Sequence, residues 1–212
     1  MKRARDDEQK RKRRQTILDT AWTMLANKEL TDISVSQIAK EAGIAKGTLY
    51  IYFRTREQIF LALLEDQFKA WLEDINEALG NFQSLEVLVN RICGFVVDRP
   101  RFLSLACAGT SILEQNAPYE TLAAYKKNMA LALTSTGVGV EKVFPNLPDG
   151  EGAAFLLKSY ALILGFFQLA EPPKAIKDVV DREGISQFQV NFSVGVEQAL
   201  FQLWTGMLQS YR

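Results

Sequence analysis

GIAKGTLYIYFRTREQ, residues 43–58, crowds small residues between Gly43 and Gly47 and follows them at once with Tyr50, Tyr52 and Phe53. Just upstream, Ser34 and Gln37 form the Ser-x-x-Gln pattern of a capping box, which starts a helix that Gly43 ends. The pattern predicts a third, very short helix from about Ala45 to Tyr50. Two helices joined by a short turn containing Gly, the second one short, make a helix-turn-helix. Ile38, Ala39, Ala42, Ile44 and Leu49 are then its internal contacts, with Phe53 assigned to the core. Lys46, Gly47, Thr48, Tyr50 and Tyr52 are left facing outward. Their chemistry suits a nucleic-acid duplex. Lys46 can donate to guanine or phosphate, Thr48 and the tyrosines can bond phosphate oxygens, and Gly47 lets backbone approach closely.

The charge distribution agrees. Residues 1–56 hold 13 Lys and Arg against 7 Asp and Glu, and residues 57–212 hold 12 against 18, so a basic head precedes an acidic body although the whole chain is neutral. Such an asymmetry points the head toward a polyanion. The run KRKRR at 10–14 supplies most of the excess. Two readings of it stay open, a basic arm that touches phosphates or the minor groove and a solvated charge run.

Composition narrows the chemistry. With no histidine in 212 residues the chain lacks the usual general base and the commonest transition-metal ligand, and Cys93 and Cys107 alone cannot build a zinc site. No catalytic residue, cofactor or metal is expected. Both cysteines have apolar neighbours and read as small buried hydrophobes. The charged N-terminus is not followed by a hydrophobic signal region, and the apolar run ALILGFF at 161–167 is too short to span a bilayer. The expectation is a cytoplasmic protein without a membrane partner.

Apolar positions recur at helical spacing almost throughout, and no long run alternates with period two, so the fold class is all-α. In the head, Ile17, Ala21, Met24 and Leu25 stripe a first helix ending near Asn27. Thr55 and Gln58 start a fourth, over 56–79, which carries Ile59, Leu63, Leu64, Phe68 and Leu72 inward. In the body, helices are expected near 84–97, 101–114, 119–136, 151–170 and 187–209, with Pro100, Pro118, the loop from Pro145 to Pro148, and Pro172-Pro173 marking the breaks.

Residues 17–65 closely resemble the DNA-binding domain of the TetR/AcrR family of transcriptional regulators. The landmarks are IA at 38–39, AGI at 42–44, KGTLYIYF at 46–53 and RE at 56–57. The resemblance implies an N-terminal helix-turn-helix domain over 1–56, including the basic tail 1–14, and a C-terminal helical ligand-binding and dimerisation domain over 57–212. It implies that Ser34, Ser36, Ala45, Lys46, Gly47, Thr48, Tyr50 and Tyr52 meet double-stranded DNA at a palindromic operator. Lys46 is the candidate base reader. Ser34, Thr48, Tyr50, Tyr52 and Arg56 fix register on phosphates.

For the body, periodicity carries the reading. The 151–170 helix is apolar on more than one side, through Phe155, Leu156, Tyr160, Ile163, Leu164 and Phe167. The last helix repeats this with Phe188, Phe192, Val196, Ala199, Leu203 and Met207 on one stripe and Val194, Phe201 and Trp204 on others. A helix apolar on several faces needs several partners. Phe155, Ile163, Phe167, Phe192, Val196 and Leu203 are therefore candidates for a four-helix bundle between two copies, the family's mode of dimerisation. Phe95, Phe102, Cys107, Leu113, Tyr119, Tyr125, Met129 and Tyr160 are candidates for lining a pocket for a small, mainly apolar effector. The expected function is a homodimeric, ligand-responsive repressor. A helical small-molecule carrier or enzyme acting on an apolar substrate is the alternative, and it leaves the basic head without a role. A constitutive DNA-binding dimer is a third possibility.

Overall fold

The computed structural model describes residues 2–211, with side chains from Asp7 onward, and no strand occurs among the described residues. The chain runs through α1 (Lys2–Met24), a 3-10 turn (Leu30–Asp32), α2 (Val35–Glu41), α3 (Lys46–Tyr52), α4 (Arg56–Gly80), α5 (Leu85–Val97) and α6 (Pro100–Ala108). A π-turn (Gly109–Leu113) leads into α7 (Glu114–Asn116). There follow α8 (Tyr119–Val143), α9 (Glu151–Ala170), α10 (Lys174–Arg182), a 3-10 turn (Ser186–Phe188) and α11 (Phe192–Gln209).

These helices form two compact units, Met1–Gln67 with Ser104–Lys127, and Phe68–Leu103 with Asn128–Arg212. The expected division at 56/57 thus differs from the packing in two ways. The head takes in the first half of α4, and it takes in a segment from the middle of the chain, the end of α6 through the start of α8.

In the first unit, Ile17, Leu18 and Ala21 of α1 pack with Ile38 and Ala39 of α2, Leu49 of α3 and Phe53, all buried. Met24 is buried with them, whereas Leu25 is half-buried in the turn that ends α1. The expected tail 1–14 continues α1 from Lys2 rather than standing apart, although Met1 and the side chains of 2–6 lie outside the described residues. Arg14, the last of the basic run, stacks over Phe53 at 5.2 Å and ties α1 to the end of α3.

In the second unit, Phe68, Trp71 and Tyr160 meet ring to ring at 5.0–5.7 Å. Trp204 sits against Phe155 at 5.2 Å and donates its indole N–H to Ser159 Oγ at 2.8 Å. Ser159 passes the bond to the Phe155 carbonyl, so this buried polar pair is satisfied. Burial pushes the Cys93 thiol up to about 12, with the Glu197 charge adding to the shift. It is packing material.

Two expected helix bounds differ from the structure, and one helix was not expected. The helix starting at Tyr119 continues to Val143, past Gly137, because that glycine is a crossing point. A Cβ built on Gly137 falls 2.4 Å from the Ala153 amide nitrogen, and one on Gly152 falls 2.1 Å from the Gly137 carbonyl oxygen, so α8 and α9 touch backbone to backbone. The last helix starts at Phe192 rather than 187, where the Asn191 side chain accepts from the Val194 amide. The amphipathic α10 lies after the break at Pro172-Pro173, where no helix is expected. It buries no residue, leaving Ile176 and Val179 exposed.

Candidate nucleic-acid interface

The site is built by two short helices and the turn between them. At the start of α2, the Ser34 hydroxyl accepts from the Gln37 amide at 3.3 Å, and the Gln37 side-chain oxygen accepts from the Ser34 amide at 2.8 Å. This closes the capping box. At the end of α2, the Gly43 amide donates to the Lys40 carbonyl and the Ile44 amide to the Ala39 carbonyl, at 3.1 and 3.0 Å. That is a Schellman termination, and it requires the left-handed φ of +66° that Gly43 adopts. The turn therefore has one geometry, and it aims α3.

On α3, Leu49 is fully buried and anchors the helix, leaving the opposite side open. Ala45, Lys46, Gly47 and Tyr50 are exposed, with Thr48 and Tyr52 half-buried. Lys46 reaches over the Tyr50 ring at 5.9 Å, one helical turn on, so the cation and the phenol share a face. A Cβ on Gly47 meets nothing within 4 Å, so no neighbour inside the chain demands a glycine there. Ser34 and Ser36, at the start of α2, are also exposed.

Ile51 was missed. It is 77% exposed, beside Tyr50 and one turn after Gly47, on a helix whose other aliphatic side chain is buried. Its spacing from Gly47 was the available signal, but an aliphatic residue reads first as core. Arg54, exposed just after α3, was also passed over.

Arg56 has a different setting from the expected phosphate contact. Its guanidinium donates to the Leu30 and Thr31 carbonyls at 3.4 Å each and pairs with Glu57 at 3.2 Å, bracing the turn between α1 and α2.

The eight expected pocket residues are divided between the two units and have different settings within them. Tyr160 is stacked on Phe68 and Trp71, and Phe95 packs edge-on against Phe102 at 6.4 Å. Leu113 and Tyr125 are buried, Tyr119 is 79% exposed, and Cys107 and Met129 are half-buried. The second unit has a cavity of about 320 Å³ lined mainly by Leu85, Val143, Phe144, Leu147, Leu208 and Tyr211. It also has a groove of about 390 Å³ with polar walls, including Lys69, Asn76, Asn128 and Thr136.

The expected dimer residues need a similar correction. Phe155, Ile163 and Val196 have no exposed surface and Phe167 is buried against Phe192, so these four serve the chain's own core, whereas Phe192 and Leu203 are half-buried. The outward stripe of α9 is Leu157, Ala161, Gly165 and Leu169, and that of α11 includes Val194 and Phe201. The helix Glu151–Ala170 is long and apolar enough to cross a membrane by length and composition.

Residues 17–63 match the family model described as bacterial regulatory proteins, tetR family, and residues 65–211 match the tetracyclin repressor-like C-terminal domain. The chain belongs to the TetR family of transcriptional regulators. Among its relatives, a fatty acid metabolism regulator protein of Bacillus subtilis (strain 168) is 36% identical over 87 residues, covering 39% of this chain and 45% of that one. The HTH-type transcriptional regulator EthR of Mycobacterium tuberculosis (strain ATCC 25618 / H37Rv) is 47% identical over 49 residues, 23% of each chain. The chain thus spans less than half the length of these two relatives. A TetR transcriptional regulator from Rhodococcus sp. RHA1 shares the fold, with a TM-score of 0.58 at 20% identity over 93% of this chain and 97% of that one. TetR membership accounts for the helix-turn-helix at one end of the chain and the all-helical body at the other.

Proposed function

We propose that this TetR-family chain is a homodimeric repressor that reads a palindromic duplex with the open face of α3 and leaves it when a small, mainly apolar effector binds the body. The observation that carries the reading is the combination on α3 of an exposed cation and phenol, an exposed isoleucine, and a glycine with empty space around it. Lys46 is suited to a guanine edge, Ile51 to a thymine methyl, and Tyr50, Tyr52, Thr48 and Ser36 to phosphates. Gly47 and Ala45 keep the backbone close, and Ser34 shapes the start of α2. Arg56 acts at one remove, by holding the turn between α1 and α2.

Dimerisation uses the outward stripes of α9 and α11, where Leu157, Leu169, Val194 and Phe201 are 41–54% exposed. An unpartnered apolar stripe on two adjacent helices is what a second copy covers in a four-helix bundle. The effector's chemistry is supported by the apolar lining around Phe144 and Leu208. The name of the Bacillus subtilis relative, a fatty acid metabolism regulator, is consistent with an acyl chain. The protein acts by binding, without catalysis, and works in the cytoplasm.

The test is a titration of the full chain against a duplex selected from a random pool, repeated across salt. Two basic heads release counterions, so the logarithm of affinity falls with the logarithm of salt by about 0.9 per phosphate neutralised. The selected site is expected to hold two half-sites with centres about 34–36 Å apart. Salt-independent affinity, or one chain per duplex, refutes the reading.

A further inference from the structure

The segment Ser104–Lys127 follows the head by some forty residues, yet it packs as part of the head's unit. It is braced internally. Lys126 pairs with Glu114 at 2.7 Å, joining the start of α8 to α7, and Gly109, at the head of the π-turn, lies so close to α4 that a Cβ would come 3.1 Å from Leu64.

The same segment holds the exit of α3 through one side chain. Gln58, in the first turn of α4, accepts the Arg54 amide on its side-chain oxygen at 2.6 Å, and its own amide donates to the Thr55 hydroxyl at 3.2 Å. Because the Arg54 N–H can only donate, the side-chain oxygen must face it, and the amide nitrogen is turned the other way. There Nε2 donates to the Thr121 hydroxyl of α8 at 2.7 Å. Arg54 is the first residue after Phe53, the C-cap of α3, and Gln58 and Thr121 are both half-buried. One amide therefore joins the end of the DNA-reading helix to a helix 63 residues later in sequence.

We propose that Gln58 is a positioning residue for DNA reading, which latches the exit of α3 to α8 through Thr121. The inference rests on α3 being the helix that reads the duplex. With the latch closed, Arg54 and Thr55 are held, and α3 presents Lys46 and Tyr50 at one angle. With the latch open, that angle varies, and part of the binding energy goes into ordering it. The latch gives segment 104–127 a direct hold on the recognition helix.

The experiment uses the full chain and the duplex that the unaltered protein selects from a random pool. Thr121→Val removes the acceptor and keeps the shape, and is expected to weaken binding about 2- to 12-fold, the range of one net hydrogen bond. Gln58→Met weakens it at least as much, and the double variant no more than Gln58→Met alone. Gln58→Glu stays near the unaltered affinity, because its carboxylate still accepts from the Arg54 amide and now accepts from the Thr121 hydroxyl. A link that only stabilises the fold lowers the melting temperature and leaves the affinity of the folded protein unchanged. Unaltered affinity in Thr121→Val, or single losses that multiply in the double variant, overturns the latch. Should Gln58→Met fail to fold, Thr121→Val carries the test, since it keeps the Gln58 side chain and removes only the bond that Nε2 makes to α8. Hydrogen exchange at the Arg54 amide separates the two levels of the argument. If no duplex is selected, the DNA reading fails. Faster exchange in Thr121→Val but not in Gln58→Glu still supports the latch, and unchanged exchange in both sinks it.

Discussion

Gly47 on α3 and Gly152 on α9 stand in helices of the same chain and have opposite surroundings. Around Gly47 a Cβ meets nothing within 4 Å, whereas at Gly152 it would fall 2.1 Å from the Gly137 carbonyl oxygen. The first glycine leaves room on a face that the chain itself does not fill. The second lets two helices of one chain approach to backbone contact, where no side chain fits. The face of α3 stays open, as the proposed DNA contact requires, while the α8–α9 crossing is filled by the chain itself. A glycine in a helix thus acquires its meaning only from what lies beyond it.

The comparison breaks most readily at the crossing. Gly152→Ala must push α8 and α9 apart, and is expected to destabilise the chain by about 3 kcal/mol or more, the upper range of overpacking. In a chain of this size that lowers the melting temperature by about 6–12 °C. Gly94→Ala in α5, where a Cβ also meets nothing within 4 Å, is the control. It should raise stability by about 0.5–1 kcal/mol, because alanine loses less backbone freedom in a helix. A harmless Gly152→Ala in thermal melts removes the contrast.

The outward stripes extend the comparison to a second copy. Phe201 is 41% exposed on α11 although its neighbours Leu200 and Trp204 are fully buried. Phe201→Glu is expected to weaken the proposed dimer by about 2 kcal/mol, the size of an interface hot spot, which is about 30-fold in its dissociation constant. Sedimentation equilibrium reads this directly. A dimer that tolerates the charge uses another face.

On α3 itself, Lys46→Ala is expected to cost about 1–3 kcal/mol on the selected duplex and less on a scrambled one, because a base contact carries sequence information and a phosphate contact does not. Equal losses on the two duplexes make Lys46 a phosphate contact.

The parts of this structure that were legible in the sequence are those whose cause is local. Ser34 and Gln37 are three residues apart and close their own capping box, and the left-handed Gly43 is needed within the turn it forms. The buried stripe of α4 follows from helical period alone. What was not legible depends on distant partners or on none. The role of Gly137 at a helix crossing depends on Gly152 and Ala153, which lie against it from another helix. The amphipathic α10 buries nothing. The aromatic residues of the body read as pocket lining because composition does not distinguish a ring facing a cavity from one stacked on its neighbours, as Tyr160 is on Phe68 and Trp71. Nothing in the residues around Gln58 announces Thr121. Ile51 reads first as core because it is aliphatic, and its exposure follows only once Leu49 is seen to take the buried side of α3.

The most direct test places a charge in the space beside Gly47. Gly47→Glu meets no neighbour in the chain, so its melting temperature is expected to match that of the unaltered protein. Its affinity for the selected duplex, measured by the same titration, is expected to be lost, because a carboxylate then faces phosphates and base edges at closest approach. A Gly47→Glu protein that melts as before and still binds the duplex with unaltered affinity contradicts the claim that this face of α3 reads DNA.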